Sequence, residues 1–134
     1  MQFQGENMSQ NKSRPTPIKG VKHVFAATSY SLAALRRLSR ETAFQHEVIL
    51  YVGVLLVFAL IGANFGEYMI ATVLFLLLVA FETLNTAIEV IVDHLVEDWA
   101  EFARDAKDYG SLSVMLLLLS NGCFFVYVLW QHVA

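Results

Sequence analysis

Three long apolar stretches dominate the sequence, and they constrain the fold more than any other feature. Residues 48–63 are apolar throughout, residues 69–93 are apolar over their first half, and residues 111–130 have only uncharged interruptions. A helix needs roughly 20 residues to cross a hydrocarbon core about 30 Å thick, so the first stretch is on the short side. We therefore expect an all-α membrane protein with three transmembrane helices, at about 48–63, 69–93 and 111–130.

The composition supports a membrane protein and excludes several other classes. Of 134 residues, 57% are hydrophobic and only 16% are charged, whereas a soluble domain is typically about 45–50% apolar and about 25% charged. Such hydrophobicity excludes a disordered chain. A formal net charge of −3 gives no support for nucleic acid as a partner. The single cysteine, Cys123, excludes an internal disulfide.

The distribution of basic residues predicts the orientation of the spans. Most of them precede the first span, two lie between the second and third spans, and the short loop 64–67 and the tail 131–134 contain none. They are Lys12, Arg14, Lys19, Lys22, Arg36, Arg37, Arg40, Arg104 and Lys107. The positive-inside rule then places the N-terminus and the second loop in the cytoplasm. The short first loop also predicts that the first two spans are antiparallel neighbours.

Segments outside the spans complete the expected organisation. Residues 1–20 are polar and are predicted to be a disordered N-terminal tail without a signal peptide. Residues 21–134 are predicted to form the membrane domain, which starts with an amphipathic surface helix at about 22–45. Leucines on one side of this helix and arginines on the other are typical of a helix on anionic lipid. A second amphipathic segment, from Leu95 to Tyr109, predicts another surface helix.

The second span ends in an unusual set of polar residues. Glu82, Asn85, Glu89 and Asp93 stand at offsets 0, 3, 7 and 11. At about 100° per residue they share a stripe roughly 80° wide on one helical face. Ionisable groups inside a membrane are costly and normally face a cavity or a partner. The stripe therefore predicts a functional site near the cytoplasmic end of this span.

A cation would explain why several carboxylates share this stripe. Mg²⁺ is the natural candidate, because it binds carboxylate oxygens together with substrate phosphates. Lys107 and Asp108, just before the third span, could complete the site at the same level of the membrane. Structural hydrogen bonding between helices would account for one such polar residue, but not for four on one face. The sequence contains no Gly-rich phosphate loop, so a nucleotide would be held without one.

Two other classes of membrane protein compete with an enzyme. A small proton-coupled multidrug or ion transporter also needs an intramembrane Glu, but near the bilayer midplane, whereas Glu89 and Asp93 lie at the end of the span. A protein that serves only as a structural anchor would have no need for four polar residues aligned on one helical face.

Two motifs resemble those of the prokaryotic diacylglycerol kinase family, which are small integral-membrane lipid kinases. They are Glu82-x-x-Asn85-Thr86-Ala87-Ile88-Glu89-x-x-x-Asp93 and Ala106-Lys107-Asp108-x-Gly110-Ser111. Two segments upstream also resemble the family's pattern: Tyr30-Ser31 and Glu41-x-Ala43-Phe44-x-x-Glu47. The resemblance covers about residues 22–130. It implies Mg²⁺-dependent transfer of the ATP γ-phosphate to diacylglycerol, giving phosphatidic acid. It also implies a homotrimer with shared active sites in the bacterial inner membrane.

The resemblance further implies roles for individual residues. Glu82 would be the catalytic base at the lipid hydroxyl, and Ser111 would lie beside the lipid. Mg²⁺ bound to ATP would be held by Glu41 and Glu89. The residues implied in ATP binding are Tyr30, Glu41, Asn85, Glu89, Lys107 and Asp108. The supporting residues would be Glu47 and Asp93.

Some positions leave alternatives open. Ala34 and Leu38 stand where the family pattern has Gly and Trp, and the surface helix is one residue shorter, so an ATP-contacting Arg of the family corresponds to Lys22 or His23. Related enzymes of Gram-positive bacteria perform the same chemistry on undecaprenol. The second motif is closer to the proteobacterial version, which favours diacylglycerol over undecaprenol.

Overall fold

The structure is a computed structural model, and it describes residues 21–133, with side chains from residue 27 onward. Four helices make up this part of the chain: α1 (Val21–Leu38), α2 (Thr42–Ile61), α3 (Phe65–Leu95) and α4 (Glu101–Val133). No strand occurs among the described residues, which confirms the all-α class. The predicted disordered tail at 1–20, and the side chains of Lys22 and His23, lie outside the described part.

Three of the helices are long and apolar enough to cross a membrane, as the sequence predicts: α2, α3 and α4. The 20 residues of α2 give a length of about 30 Å, which matches a bilayer core. Helices satisfy their backbone hydrogen bonds internally, which a chain in lipid requires. In the most apolar stretch of each helix, only 11% of the residues are buried within the single chain. Most of these apolar side chains therefore face lipid or other chains.

The region before the first span differs from the predicted helix at 22–45. The helix α1 ends at Leu38, and α2 begins at Thr42, six residues before the predicted span. Between them, Glu41 has an extended backbone (φ −73°, ψ 132°). The Gln45 side chain stabilises this turn by donating a hydrogen bond from Nε2 to the Ser39 carbonyl at 3.1 Å. The chain divides into two compact units after Leu35, and α2, α3 and α4 belong to the second.

A short turn joins α2 to α3, as predicted. Gly62 closes α2 in the left-handed conformation (φ 74°), which favours glycine, and its N–H donates to the Phe58 carbonyl. Asn64 and Glu67 then form a capping box at the start of α3. The Asn64 side chain accepts from the Glu67 N–H at 3.1 Å, and the Glu67 carboxylate accepts from the Asn64 N–H at 2.7 Å.

The predicted surface helix from Leu95 to Tyr109 is wrong. Leu95 is the last residue of α3, residues 96–100 are not helical, and α4 continues without a break from Glu101 to Val133. The 3–4 spacing of apolar residues spans the end of one helix and the start of the next. Gly110 does not interrupt α4, because it is buried against α3. The segment before the third span is therefore the first part of that same helix.

The buried core lies at the end of the bundle where α2 ends and α3 begins. Phe58 and Val128 are fully buried and pack with Ala71. At the same end, His132 Nε2 contacts both carboxylate oxygens of Glu67, at 3.0 and 3.1 Å. This packing fixes the ends of α3 and α4 that are remote from the polar stripe.

Candidate active site

Burial changes steadily along the polar stripe of α3. Glu82 and Asn85 are buried, each 8% exposed. One to two turns further on, Glu89 is half-buried and Asp93 is exposed. The helical spacing of these residues therefore produces a path of polar groups from the apolar interior to the water-accessible end of the helix.

Asn85 connects this stripe to its neighbours. Its Nδ2 donates a hydrogen bond to Glu89 Oε1 at 2.9 Å. Its Oδ1 is buried and has no hydrogen-bond partner within the described residues. The carboxamide therefore orients Glu89 through its Nδ2, while its Oδ1 faces Gly110 of α4.

Two further carboxylates come from α2 and from the residue just before it. Glu41 interacts electrostatically with Glu82, as does Glu89. Glu47 also interacts with Glu82, and is itself only 6% exposed. One of its oxygens, Oε2, is buried and unpartnered in the part of the chain that the structure covers. Carboxylates of α3 and of the start of α2 thus form one acidic cluster around Glu82.

The α4 helix adds a basic residue to the exposed end of the stripe. Lys107 Nζ pairs with Asp93 Oδ1 across the α3–α4 contact. Asp108 instead lies beside Arg104 of its own helix, with Arg104 Nε 3.9 Å from Asp108 Oδ2. Of the predicted pair, the structure therefore brings only Lys107 into contact with the stripe.

Two predicted residues remain, Ser111 and Tyr30. Ser111 is exposed on α4, and Tyr30 is 67% exposed on α1. Their predicted roles beside the lipid and ATP stay predictions.

Two residues of α4 with described contacts were given no site role from the sequence. Arg104 contacts Asp105 and Asp108 and lies 6.0 Å from the Trp99 ring. Its spacing of four residues from Asp108 is the signal that identifies the ion pair. Gly110 contacts Asn85 across the helix interface, which no sequence periodicity reveals.

The donor set suits a hard divalent cation. No three His, Cys, Asp or Glu side chains in the described chain form a preassembled metal site. Mg²⁺ usually takes one or two protein carboxylates and completes its shell with phosphate and water oxygens. The carboxylates of Glu41 and Glu89, which both interact electrostatically with Glu82, fit that requirement.

The fold and the site together define a class of protein. It is a small three-span membrane protein with a buried carboxylate inside the bundle and with acidic and basic groups at the adjacent exposed end. Such an arrangement suits a reaction between a reactant from the membrane and one from water.

Comparison with known proteins identifies the family. The pattern of the family described as prokaryotic diacylglycerol kinase matches residues 29–129. A diacylglycerol kinase from Sinorhizobium sp is 44% identical over 109 residues, which cover 81% of this chain and 80% of the relative. That of Haemophilus influenzae is 35% identical (77% and 88% covered), and that of Escherichia coli strain K12 is 29% identical (84% and 93% covered). The chain belongs to the prokaryotic diacylglycerol kinase family, which confirms the resemblance of its motifs.

Proposed function

We propose that this protein transfers the γ-phosphoryl group of ATP to the hydroxyl of diacylglycerol, giving phosphatidic acid and ADP. Family membership and the relatives named diacylglycerol kinase support this activity. The observation that carries it is the change in burial along α3, from buried Glu82 to exposed Asp93. The buried end of the stripe could receive a lipid hydroxyl, and the exposed end could receive a nucleotide from water.

Glu82 is the proposed general base. A carboxylate oxygen of Glu82 accepts the hydroxyl proton while the lipid oxygen bonds to the γ-phosphorus and the bond to the bridging oxygen of ADP breaks. Phosphoryl transfer depends mainly on positioning and charge stabilisation, and a positioned base adds to both by binding the attacking hydroxyl. The burial of Glu82 on the membrane helix supports its place at the lipid end. Ser111 is the proposed neighbour of the lipid on α4.

The nucleotide is proposed to bind at the exposed end of the stripe. Lys107 would contact a phosphate there, and Asn85 would orient the phosphates through its contact with Glu89. Asp108 and Tyr30 complete the proposed ATP contacts. Asp93 and Glu47 are supporting residues, since Asp93 pairs with Lys107 and Glu47 interacts with Glu82.

Glu41 and Glu89 are proposed to hold a Mg²⁺ ion together with the ATP phosphates. When bound, the ion would neutralise phosphate charge. The electrostatic interactions of both residues with Glu82 support this assignment. Without a cation these acidic groups repel one another.

The assembly and location are proposals that rest on family resemblance and charge pattern. We propose a homotrimer with shared active sites in the bacterial inner membrane. Its N-terminus would lie in the cytoplasm, with α1 on the membrane surface. The small buried fraction of the three spans supports further packing between chains.

The test is transfer of radiolabelled γ-phosphate from ATP in mixed micelles that contain diacylglycerol and undecaprenol side by side. We expect Mg²⁺-dependent labelling of diacylglycerol. Labelling of undecaprenol alone would replace the proposed lipid substrate and keep the reaction. The absence of any labelled lipid would overturn the kinase proposal.

A further inference from the structure

Gly110 lies at the contact between α4 and α3, next to the side chain of Asn85. A Cβ atom at position 110 would overlap Oδ1 of Asn85 and would lie 3.2 Å from its Cγ. Such an overlap forces a shift of the carboxamide or of the helices. The observed position of the Asn85 side chain therefore requires glycine at residue 110.

The overlap involves the side chain of Asn85 and not the backbone of α3. The nearest atoms to the added Cβ are Oδ1, Cγ and, at 3.7 Å, Cβ of Asn85. The last distance is ordinary van der Waals contact. If Asn85 were shortened to alanine, the interface would accept a methyl group at position 110. This separates an effect on Asn85 from a general need for close helix packing.

The Asn85 carboxamide has little room to move away from an added methyl group. It is buried, and its Nδ2 is bound to Glu89 Oε1 at 2.9 Å. A methyl group from α4 would push Oδ1 away and turn Nδ2 from Glu89. The hydrogen bond that orients Glu89 would then be lost.

We propose that Gly110 is a positioning residue for phosphoryl transfer, which acts by leaving room for the Asn85 carboxamide. The proposal rests on the function proposed above, in which Asn85 and Glu89 serve the nucleotide end of the site. Gly110 itself touches neither substrate in this scheme. Its effect reaches ATP through Asn85.

A double-mutant cycle tests the proposal. Diacylglycerol phosphorylation is measured at varied ATP for the wild type, Gly110→Ala, Asn85→Ala and the double variant. We expect Gly110→Ala to lower kcat/KM for ATP about a hundredfold, as misplacement of a binding group by about 1 Å can do. The double variant should be no worse than Asn85→Ala alone. A further large loss in the double variant would mean that Gly110 serves packing only, and would overturn the proposal.

Gly122→Ala is the matched control, because a Cβ at position 122 on the same helix meets no described heavy atom within 4 Å. We expect its activity to stay within about twofold of the wild type. A loss equal to that of Gly110→Ala would contradict the proposal, since any added methyl group on α4 would then have the same effect. If Gly110→Ala does not fold, the comparison of the double variant with Asn85→Ala still decides.

A spectroscopic measurement gives a second readout that needs no activity. The side-chain amide signals of Asn85 in ¹⁵N-labelled protein are assigned by their loss in Asn85→Ala. We expect them to shift in Gly110→Ala and to stay in place in Gly122→Ala. Unchanged signals in Gly110→Ala would overturn the proposal. A wild type that phosphorylates no lipid would instead overturn the proposed function, and leave the contact to be judged from these signals.

Discussion

Lys107 at the start of α4 is paired with Asp93 at the end of α3. The two side chains are 37% and 63% exposed, so the pair lies in contact with water. Exposed ion pairs typically contribute about 0–1 kcal/mol to stability. The pair is therefore a minor part of the α3–α4 packing, and we infer that its role is to hold the lysine ammonium beside the stripe.

Lys107→Gln should affect catalysis much more than stability. Loss of the ammonium removes the positive charge at the proposed nucleotide end, so we expect kcat/KM for ATP to fall about a hundredfold. The thermal unfolding midpoint in detergent should change little, because the lost pair is exposed. Initial rates at varied ATP and a thermal scan measure both quantities.

Asp93→Asn should have a smaller effect on the same rate, about tenfold, because it only removes the group that orients Lys107. Asp105→Asn is its control, since Asp105 pairs with Arg104 inside α4 and should leave the rate unchanged. An equal loss in both variants would show that general surface charge, and not the contact with Lys107, is responsible.

Glu82→Gln should abolish the transfer step and preserve nucleotide binding. The substitution keeps the size of the side chain and removes its ability to accept a proton, so we expect kcat to fall by about 10²–10⁴. Equilibrium binding of ATP, measured by calorimetry, should be nearly unchanged. Glu67→Gln, on the same helix but at its other end, is the matched control and should remain active. Full activity of Glu82→Gln would remove this residue from the role of base.

Glu89→Gln should change the metal requirement. If Glu89 binds Mg²⁺ with Glu41, loss of its charge should raise the Mg²⁺ concentration for half-maximal activity by about tenfold or more. A titration of activity with Mg²⁺ at fixed ATP measures this shift. Glu97→Gln, an exposed acid in the turn before α4, should leave the titration unchanged. Identical curves for wild type and Glu89→Gln would contradict the assignment.

Asn64→Ala should destabilise the protein without changing its chemistry. The Asn64 side chain accepts from the Glu67 N–H at 3.1 Å, and loss of such a cap typically costs about 1 kcal/mol. This turn lies at the end of α3 remote from the polar stripe. We therefore expect a lower thermal midpoint with unchanged kcat and KM below the transition. A fall in kcat at low temperature would show that the two ends of α3 are coupled.

The sequence predicts most of the fold because its signals are local. Long apolar runs predict the three spans, and the short loop at 64–67 predicts that the first two are antiparallel neighbours. The limits of the helices are harder to predict. The apolar pattern from Leu95 to Tyr109 suggests one helix, yet the turn at 96–100 divides it. A periodic pattern does not reveal a break in the helix when the apolar residues keep the same spacing across it.

The site is only partly predictable for a similar reason. Helical offsets place Glu82, Asn85 and Glu89 on one face, and the structure shows them there with decreasing burial. The contact of Asn85 with Gly110 and the interaction of Glu47 with Glu82 join different helices. Such contacts depend on how the helices pack, and one sequence contains no direct measure of that packing.

The unbroken course of α4 has a geometric consequence. Lys107 at the proposed nucleotide end and Ser111 at the proposed lipid end stand on one continuous helix, so their separation along its axis is set at about 6 Å by the helical rise. If both proposed roles hold, this spacing sets the distance along α4 between the groups that contact the nucleotide and the lipid. An insertion of one residue between Lys107 and Ser111 would turn one of these side chains by about 100° relative to the other.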